Sequence, residues 1–116
     1  MSLMWEEVVV DCRDARQLGS WWSVALGWPI IGEDEDEVEL QNPDASHPTL
    51  LFGKVPEAKS IKNRLHLDFV PDDQAAEVER LLGLGASRVD IGQGDTPWVV
   101  LADPEGNEFC VLTARP

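Results

Sequence analysis

Two helical segments of this sequence are enclosed by the same pair of residues at the same spacing, which restricts the possible folds more than any other feature. Asp14 and Gly27 enclose the first segment, ARQLGSWWSVAL, and Asp72 (or the adjacent Asp73) and Gly85 enclose the second. Aspartate is favoured at a helix N-terminus, and glycine is favoured just after a helix C-terminus. A strand-like segment precedes each helix and three follow it, so the sequence predicts a βαβββ unit that occurs twice.

The predicted strands share β-branched or alternating apolar residues bounded by turn-forming residues. In the first half they are EEVVVDC (6–12), PIIGED (29–34), EVELQN (37–42) and TLLFGKV (49–55). In the second half they are RLHLDFV (64–70), SRVDIG (87–92), WVVLAD (98–103) and NEFCVLT (107–113).

These elements predict an α+β fold in which two βαβββ modules form an open, curved eight-stranded cup with the helices on the outside. We assign residues 1–116 to a single domain, with module one at about 5–54, a joint at about 55–63 and module two at about 64–114. Alternate strand residues line the concave face, which is the predicted site for a small-molecule ligand.

The composition argues against two classes of partner. Twenty-two acidic residues against nine Lys and Arg give a net charge of −13, so neither nucleic acid nor an anionic membrane surface is expected to bind. No apolar run approaches the roughly 20 residues of a membrane span, and the N-terminal residues MSLMWEE lack the pattern of a signal peptide. Cys12 and Cys110 form neither a disulfide framework nor a zinc-knuckle spacing, which indicates reduced thiols in a cytoplasmic protein.

Three segments carry a resemblance to a known family. HLDFVPDD opens the second half, DPEGNEFCVL closes it, and SWWSVALGW ends the first helix. With the doubled βαβββ pattern, they make the chain resemble the vicinal oxygen chelate superfamily, in particular its glyoxalase-like domains, which are related to bleomycin-resistance proteins and dioxygenases. The resemblance implies a homodimer whose cup holds one divalent ion (Zn, Ni, Mn or Fe) on the first, fifth and eighth strands, sometimes the fourth. It implies lyase, isomerase or dioxygenase chemistry on small molecules, although some similar proteins bind drugs without a metal.

The resemblance directs attention to three positions for a metal. His66 stands at the ligand position of the fifth strand. On the first strand, the residue equivalent to His66 depends on the reference point. Counting back from the helix N-cap selects Glu7, and counting back from the glycine that ends the helix selects Val8. Strand alternation favours Glu7. On the eighth strand, Cys110 replaces the glutamate of the family, and Glu108 lies two residues, roughly 6–7 Å, before it on the same face.

Glu7, His66 and Cys110 leave three interpretations open. Carboxylate, imidazole and thiolate all bind zinc, so the three side chains could hold a metal. Without a metal, they could be catalytic groups, with His66 activating a Cys110 thiolate and Glu7 or Asp68 orienting the imidazole ring. Alternatively, His66 is a hydrogen-bonded pocket residue, and Cys110 packs as a small apolar side chain.

Further residues are predicted to line the ligand pocket; they are Asp68, Trp22, Trp98 and Glu108. Alternation along RLHLDFV places Asp68 on the same face as His66 and turns Leu65 toward the helix. Four of the nine cations lie within eleven residues in and beside the joint, namely Lys54, Lys59, Lys62 and Arg64. This cluster is either a solvated linker or a receptor for an anionic ligand or for the acidic surface of a second subunit.

The predicted function is therefore a glyoxalase-like small-molecule enzyme with an incomplete standard metal set. The alternative is a metal-free protein that binds or sequesters a small molecule, as bleomycin-resistance proteins do. The content of metal in the purified protein distinguishes a metal-dependent enzyme from the other possibilities.

Overall fold

The structure, a computed structural model, describes residues 2–116, so the first residue of the predicted domain lies outside the described residues. The chain divides into two compact units, which end and begin at residues 58 and 59. This division falls inside the joint expected at 55–63. The eight-stranded cup that the two sheets are expected to form together stays a prediction.

The first unit contains one helix and a four-stranded sheet. Its elements are β1 (Glu7–Cys12), α1 (Ala15–Leu26), β2 (Ile30–Glu33), β3 (Glu37–Leu40) and β4 (Thr49–Lys54). The strand order is β1-β4-β3-β2. β1 pairs in parallel with β4, and the other neighbours are antiparallel.

The second unit repeats this topology. Its elements are β5 (Leu67–Phe69), α2 (Gln74–Leu84), β6 (Ser87–Arg88), β7 (Val99–Ala102) and β8 (Glu108–Val111). The order is β5-β8-β7-β6, again with a parallel pair between the first and last strands of the unit. The α+β fold and the two βαβββ modules predicted from the sequence are confirmed. Among the described residues, no helix is long and apolar enough to span a membrane.

Both helices begin and end at the predicted kinds of residue. The Asp14 carboxylate accepts a hydrogen bond from the Gln17 backbone N–H, and the following α1 ends at Gly27, whose φ is +70°. In the second unit Asp73, rather than its neighbour, is the N-cap, and Gly85 ends α2 with a φ of +116°. Residues that carry a side chain rarely adopt positive φ, so glycine is the residue best suited to the left-handed turn that ends each helix.

The two faces of the second sheet differ in chemistry. The β5–β8 register pairs Leu67 with Phe109 and Phe69 with Val111, so these apolar side chains share one face. The rings of Phe69 and Phe109 meet edge to face, with centroids 6.1 Å apart. Helix α2 packs near β8 and contributes its own buried apolar stripe. The polar residues of β5 and β8 therefore project from the opposite face of the sheet.

Helix α1 approaches β3 closely at Gly19. A Cβ atom built at Gly19 would lie 2.5 Å from Cγ1 of Val38, which is fully buried. Real side chains essentially never approach so closely, so the helix and the sheet would have to separate for any larger residue to fit.

We expect Gly19→Ala to destabilise the protein, although alanine is normally about 1 kcal/mol better than glycine inside a helix. Overpacking a filled core typically costs about 1–3 kcal/mol. The matched control is Gly83→Ala in α2, where an added Cβ meets nothing within 4 Å, and which should be neutral or stabilising. Urea unfolding measures both; a Gly19→Ala protein more stable than the unsubstituted chain would contradict the close approach.

Candidate functional site

Three potential donor side chains meet on the polar face of the second sheet. Asp68 and Cys110 are direct partners in the parallel β5–β8 pair, so both project from the same face. His66 directly precedes β5. One nitrogen, oxygen or sulfur atom from each of the three lies within 4.8 Å of the other two. We refer to His66, Asp68 and Cys110 as the polar cluster.

Hydrogen bonds and burial define the chemical state of the polar cluster. His66 Nε2 lies 3.2 Å from Asp68 Oδ1, and these side chains are 40% and 48% exposed. Cys110 is 4% exposed. Burial, together with the charge of Asp68 and a hydrogen bond from the thiol to it, raises the pKa of Cys110 to about 11. Cys110 is therefore a neutral thiol at physiological pH, which argues against the activated thiolate that the sequence left open.

Glu108 lies on the same face and is fully engaged within its unit. It is 9% exposed, and its carboxylate accepts hydrogen bonds from Lys59 Nζ at 2.9 Å and from the Asn63 backbone N–H at 3.0 Å. Burial alone raises the pKa of Glu108, but these hydrogen bonds and the Lys59 charge outweigh burial and hold it below the usual range. Glu108 was expected to line the ligand pocket; the structure instead turns it toward the segment that precedes His66.

Lys59, one of the four cations at the joint, is not a solvated side chain, because its ammonium group is paired with Glu108 and its side chain is 19% exposed. The role of the four cations as a whole stays a prediction. Asn63 was not singled out from the sequence. Besides its backbone bond to Glu108, its side-chain amide donates to Asn107 Oδ1 at 2.9 Å. No local sequence pattern connects these residues, since Lys59 and Glu108 are 49 positions apart.

The turn DPEGN before β8 is organised by one buried carboxylate. Asp103 is 3% exposed and accepts hydrogen bonds from the backbone N–H groups of Glu105 and Asn107 at 2.9 and 3.0 Å. The side-chain amide of Asn107 donates to the same carboxylate. Gly106 adopts a φ of +88°, which glycine tolerates best. This turn fixes where β8 begins, and hence where Glu108 and Cys110 lie along the sheet.

Three other predicted positions are placed as follows. Trp22 is 3% exposed in the core of the first unit, so its indole is enclosed by packing and is not a pocket surface as expected. Trp98, which precedes β7, keeps 39% of its surface exposed. Leu65 is 87% exposed rather than turned toward the helix, because β5 begins at Leu67 and alternation does not extend to residue 65.

Glu7 belongs to the first unit, at the start of β1. It is half-buried and shares a strand face with Val9, which is 51% exposed, whereas Cys12 on the other face is 2% exposed. Glu7 therefore lies on the more exposed face of β1, and the expected choice of Glu7 over Val8 for the ligand site stays a prediction. Its place beside His66 and Cys110 in a metal or catalytic centre stays a prediction.

Residues 7–112 match the family model of the glyoxalase-like domain. The chain belongs to this family. The match covers both βαβββ units and confirms the resemblance inferred from the sequence. No curated protein sequence matches the chain.

Several solved structures share the fold of this glyoxalase-like chain. A glyoxalase-related enzyme from Fulvimarina pelagi is 13% identical, with a TM-score of 0.72, over 97% of this chain and 88% of that one. A glyoxalase/bleomycin resistance protein/dioxygenase family enzyme from Burkholderia phytofirmans PsJN is 18% identical, with a TM-score of 0.71, over 95% and 98%. An antibiotic-binding protein from Streptomyces sp. CB03234 is 17% identical, with a TM-score of 0.64, over 99% of both chains. At these identities the likeness shows the fold alone.

The raised pKa of Cys110 predicts an alkaline limit to stability. A thiol with a pKa of about 11 in the folded chain and 9.0 ordinarily stabilises the folded state fully below pH 9.0, and this contribution is lost as the pH rises through 11. We expect the ultraviolet absorbance of the Cys110 thiolate, measured in a Cys12→Ser background, to appear near pH 11. Asp68→Asn should lower this midpoint, because it removes the neighbouring negative charge. A midpoint near 9 in the Cys12→Ser protein would contradict the burial and the hydrogen bond.

Proposed function

We propose that this glyoxalase-like protein is a small-molecule enzyme whose centre includes a divalent ion held by His66, Asp68 and Cys110. The observation that carries the proposal is the convergence of a nitrogen, an oxygen and a sulfur donor within 4.8 Å on one face of the second sheet. Zinc accepts this mixed set, and catalytic zinc sites commonly use three protein ligands. In this proposal Asp68 supplies the carboxylate ligand, and Glu7, which the sequence suggested, remains a further candidate ligand.

The donor set passes a simple test of fit. Zinc ligands stand about 2.0–2.3 Å from the ion, so donor atoms around one ion lie about 3–4 Å apart. The polar cluster is within small side-chain rotations of that spacing, since its donors already lie within 4.8 Å of each other. The Cys110 proton is the main cost, because a thiol must lose it to bind a metal.

The residues of the cluster have distinct roles in this proposal. The ion, when bound, would act as a Lewis acid that polarises a substrate oxygen. His66 and Asp68 face solvent over nearly half of their surfaces, so a small oxygen-bearing substrate can reach that side. Before the metal binds, Asp68 accepts the hydrogen bond of the Cys110 thiol, so its exposed carboxylate is placed to receive the proton that the thiol loses and to pass it to solvent. Buried Cys110 closes the opposite side against water.

A metal-free binding protein is the second candidate, and the neutral Cys110 thiol favours it. Without a metal, the exposed imidazole of His66 and the exposed carboxylate of Asp68 offer adjacent polar groups that can hydrogen-bond a polar ligand. The exposed part of the Trp98 indole offers an apolar surface for a flat ligand. The fold neighbour described as antibiotic-binding is compatible with this role. Homodimer formation and a cytoplasmic location remain proposals drawn from the resemblance and the composition.

Metal analysis after reconstitution distinguishes the two functions. We expect about one Zn²⁺ or Co²⁺ per chain, and an affinity that falls by more than about tenfold in His66→Ala, Asp68→Asn and Cys110→Ser. The Co²⁺ form should show a thiolate charge-transfer absorption that Cys110→Ser removes. The matched control is His47→Ala, since His47 has the same 40% exposure and also faces a carboxylate, that of Glu6.

An unchanged metal content in all three cluster variants, or no binding at saturating Zn²⁺ and Co²⁺, would contradict the metal-dependent enzyme. Binding of a small molecule that survives chelation, but is weakened by His66→Ala, would then support the metal-free alternative.

A further inference from the structure

We infer that Glu108 is a positioning residue that holds His66 against Cys110 by anchoring the segment 59–63, an inference that rests on the proposed function of the polar cluster. The family resemblance drew attention to Glu108 as a pocket residue. Its contacts indicate a different role. Glu108 binds neither His66 nor Cys110; it influences the distance between them through the backbone segment that leads to His66.

His66 needs such an anchor because the sheet does not hold it. β5 consists of Leu67–Phe69, and its ladder to β8 begins at the Leu67–Phe109 pair. His66 therefore stands just outside the paired residues, and Leu65 before it is 87% exposed and adds little packing. In the described structure residues 55–66 belong to no helix or strand. Backbone without ladder bonds or buried apolar contacts opens easily on its own.

Glu108 provides two attachments for this segment. Its Oε1 accepts the Asn63 backbone N–H at 3.0 Å, three residues before His66, and its Oε2 accepts Lys59 Nζ at 2.9 Å. A third bond joins the Asn63 amide to Asn107 Oδ1 at 2.9 Å. Charge-assisted hydrogen bonds to a buried carboxylate are short and directional, so together they fix the position of the segment. Their strength agrees with the lowered pKa of Glu108.

The same strand supplies both the anchor and a donor of the cluster. Glu108 and Cys110 are two residues apart on one face of β8, roughly 6–7 Å along the strand. The Glu108–Asn63 bond thus fixes the backbone before His66 relative to β8, the strand that carries Cys110. The pairing of Asp68 with Cys110 fixes β5, the strand that follows His66. Loss of the Glu108–Asn63 bond leaves His66 held only by its chain connection to β5 and by its contact with Asp68.

The first experiment needs no metal. In the apoprotein, Glu108→Gln should shift the NMR resonances of the His66 ring nitrogens toward those of an unrestrained histidine. It should also speed alkylation of Cys110 by about tenfold, because the segment opens more easily. Lys59→Met is the second variant, and it keeps the carboxylate in case Glu108→Gln folds poorly. The matched control is Glu77→Gln, which removes a carboxylate paired with Arg80 on α2 of the same unit and should change neither readout.

The second experiment is a double-mutant cycle on Co²⁺ affinity with Glu108→Gln and His66→Ala. Loss of an outer positioning partner should lower affinity by about 10–100-fold, and the double variant should bind no more weakly than His66→Ala alone. Additive losses would show that Glu108 acts on general stability, and would overturn the inference. Unchanged His66 resonances and alkylation rates in both Glu108→Gln and Lys59→Met would also overturn it. If the unsubstituted chain binds no Co²⁺, the proposed metal function fails, and the apoprotein measurements still decide the positioning role.

Discussion

The parallel pairing of β5 with β8 sets the place of two of the three groups in the polar cluster, Asp68 and Cys110. The two strands are far apart in the chain, and their register puts Asp68 directly beside Cys110. A slip of one residue would turn one of these side chains to the apolar face that carries Phe109. The first unit uses the same parallel pairing between β1 and β4. In both halves, the first and last strands of the module are therefore neighbours in the sheet.

Two buried ionisable groups on the polar face of the second sheet have different charge states. Glu108 stays charged because Lys59 and the Asn63 amide replace the water it has lost. For Cys110 the compensation is insufficient: the charge of Lys62 lowers its pKa, but burial and the negative charge of Asp68 outweigh it, so the proton stays on sulfur. A buried anion and a buried neutral thiol therefore stand two residues apart on one strand. The Glu108 carboxylate anchors neighbouring residues, whereas the Cys110 thiol would bind a metal, in the proposed function, only after losing its proton.

The sequence predicts local features of this fold well because their causes are local. The Asp and Gly caps define both helices, and period-two alternation on β8 correctly separates Cys110 from Phe109. The extent of β5 was overestimated, because RLHLDFV alternates over seven residues while β8 offers partners for three. The length of a strand is set by its neighbour, which is distant in the chain.

The candidate site was predicted in part. His66 and Cys110 were selected through the family resemblance, and the structure brings them together. The pairing of Lys59 with Glu108 was missed, because a contact between residues 49 positions apart leaves no periodic trace. Trp22 was misplaced for a related reason: an amphipathic pattern shows that one of two adjacent indoles is buried, but composition does not say which.

The contact between Gly19 and Val38 makes the evolutionary histories of these two positions dependent on each other. A methyl group at position 19 has no room while valine occupies position 38. A path that enlarges the helix residue is therefore less destabilising when a smaller residue on β3 comes first. The order of substitutions, and not merely their identity, sets the stability of the intermediate sequences.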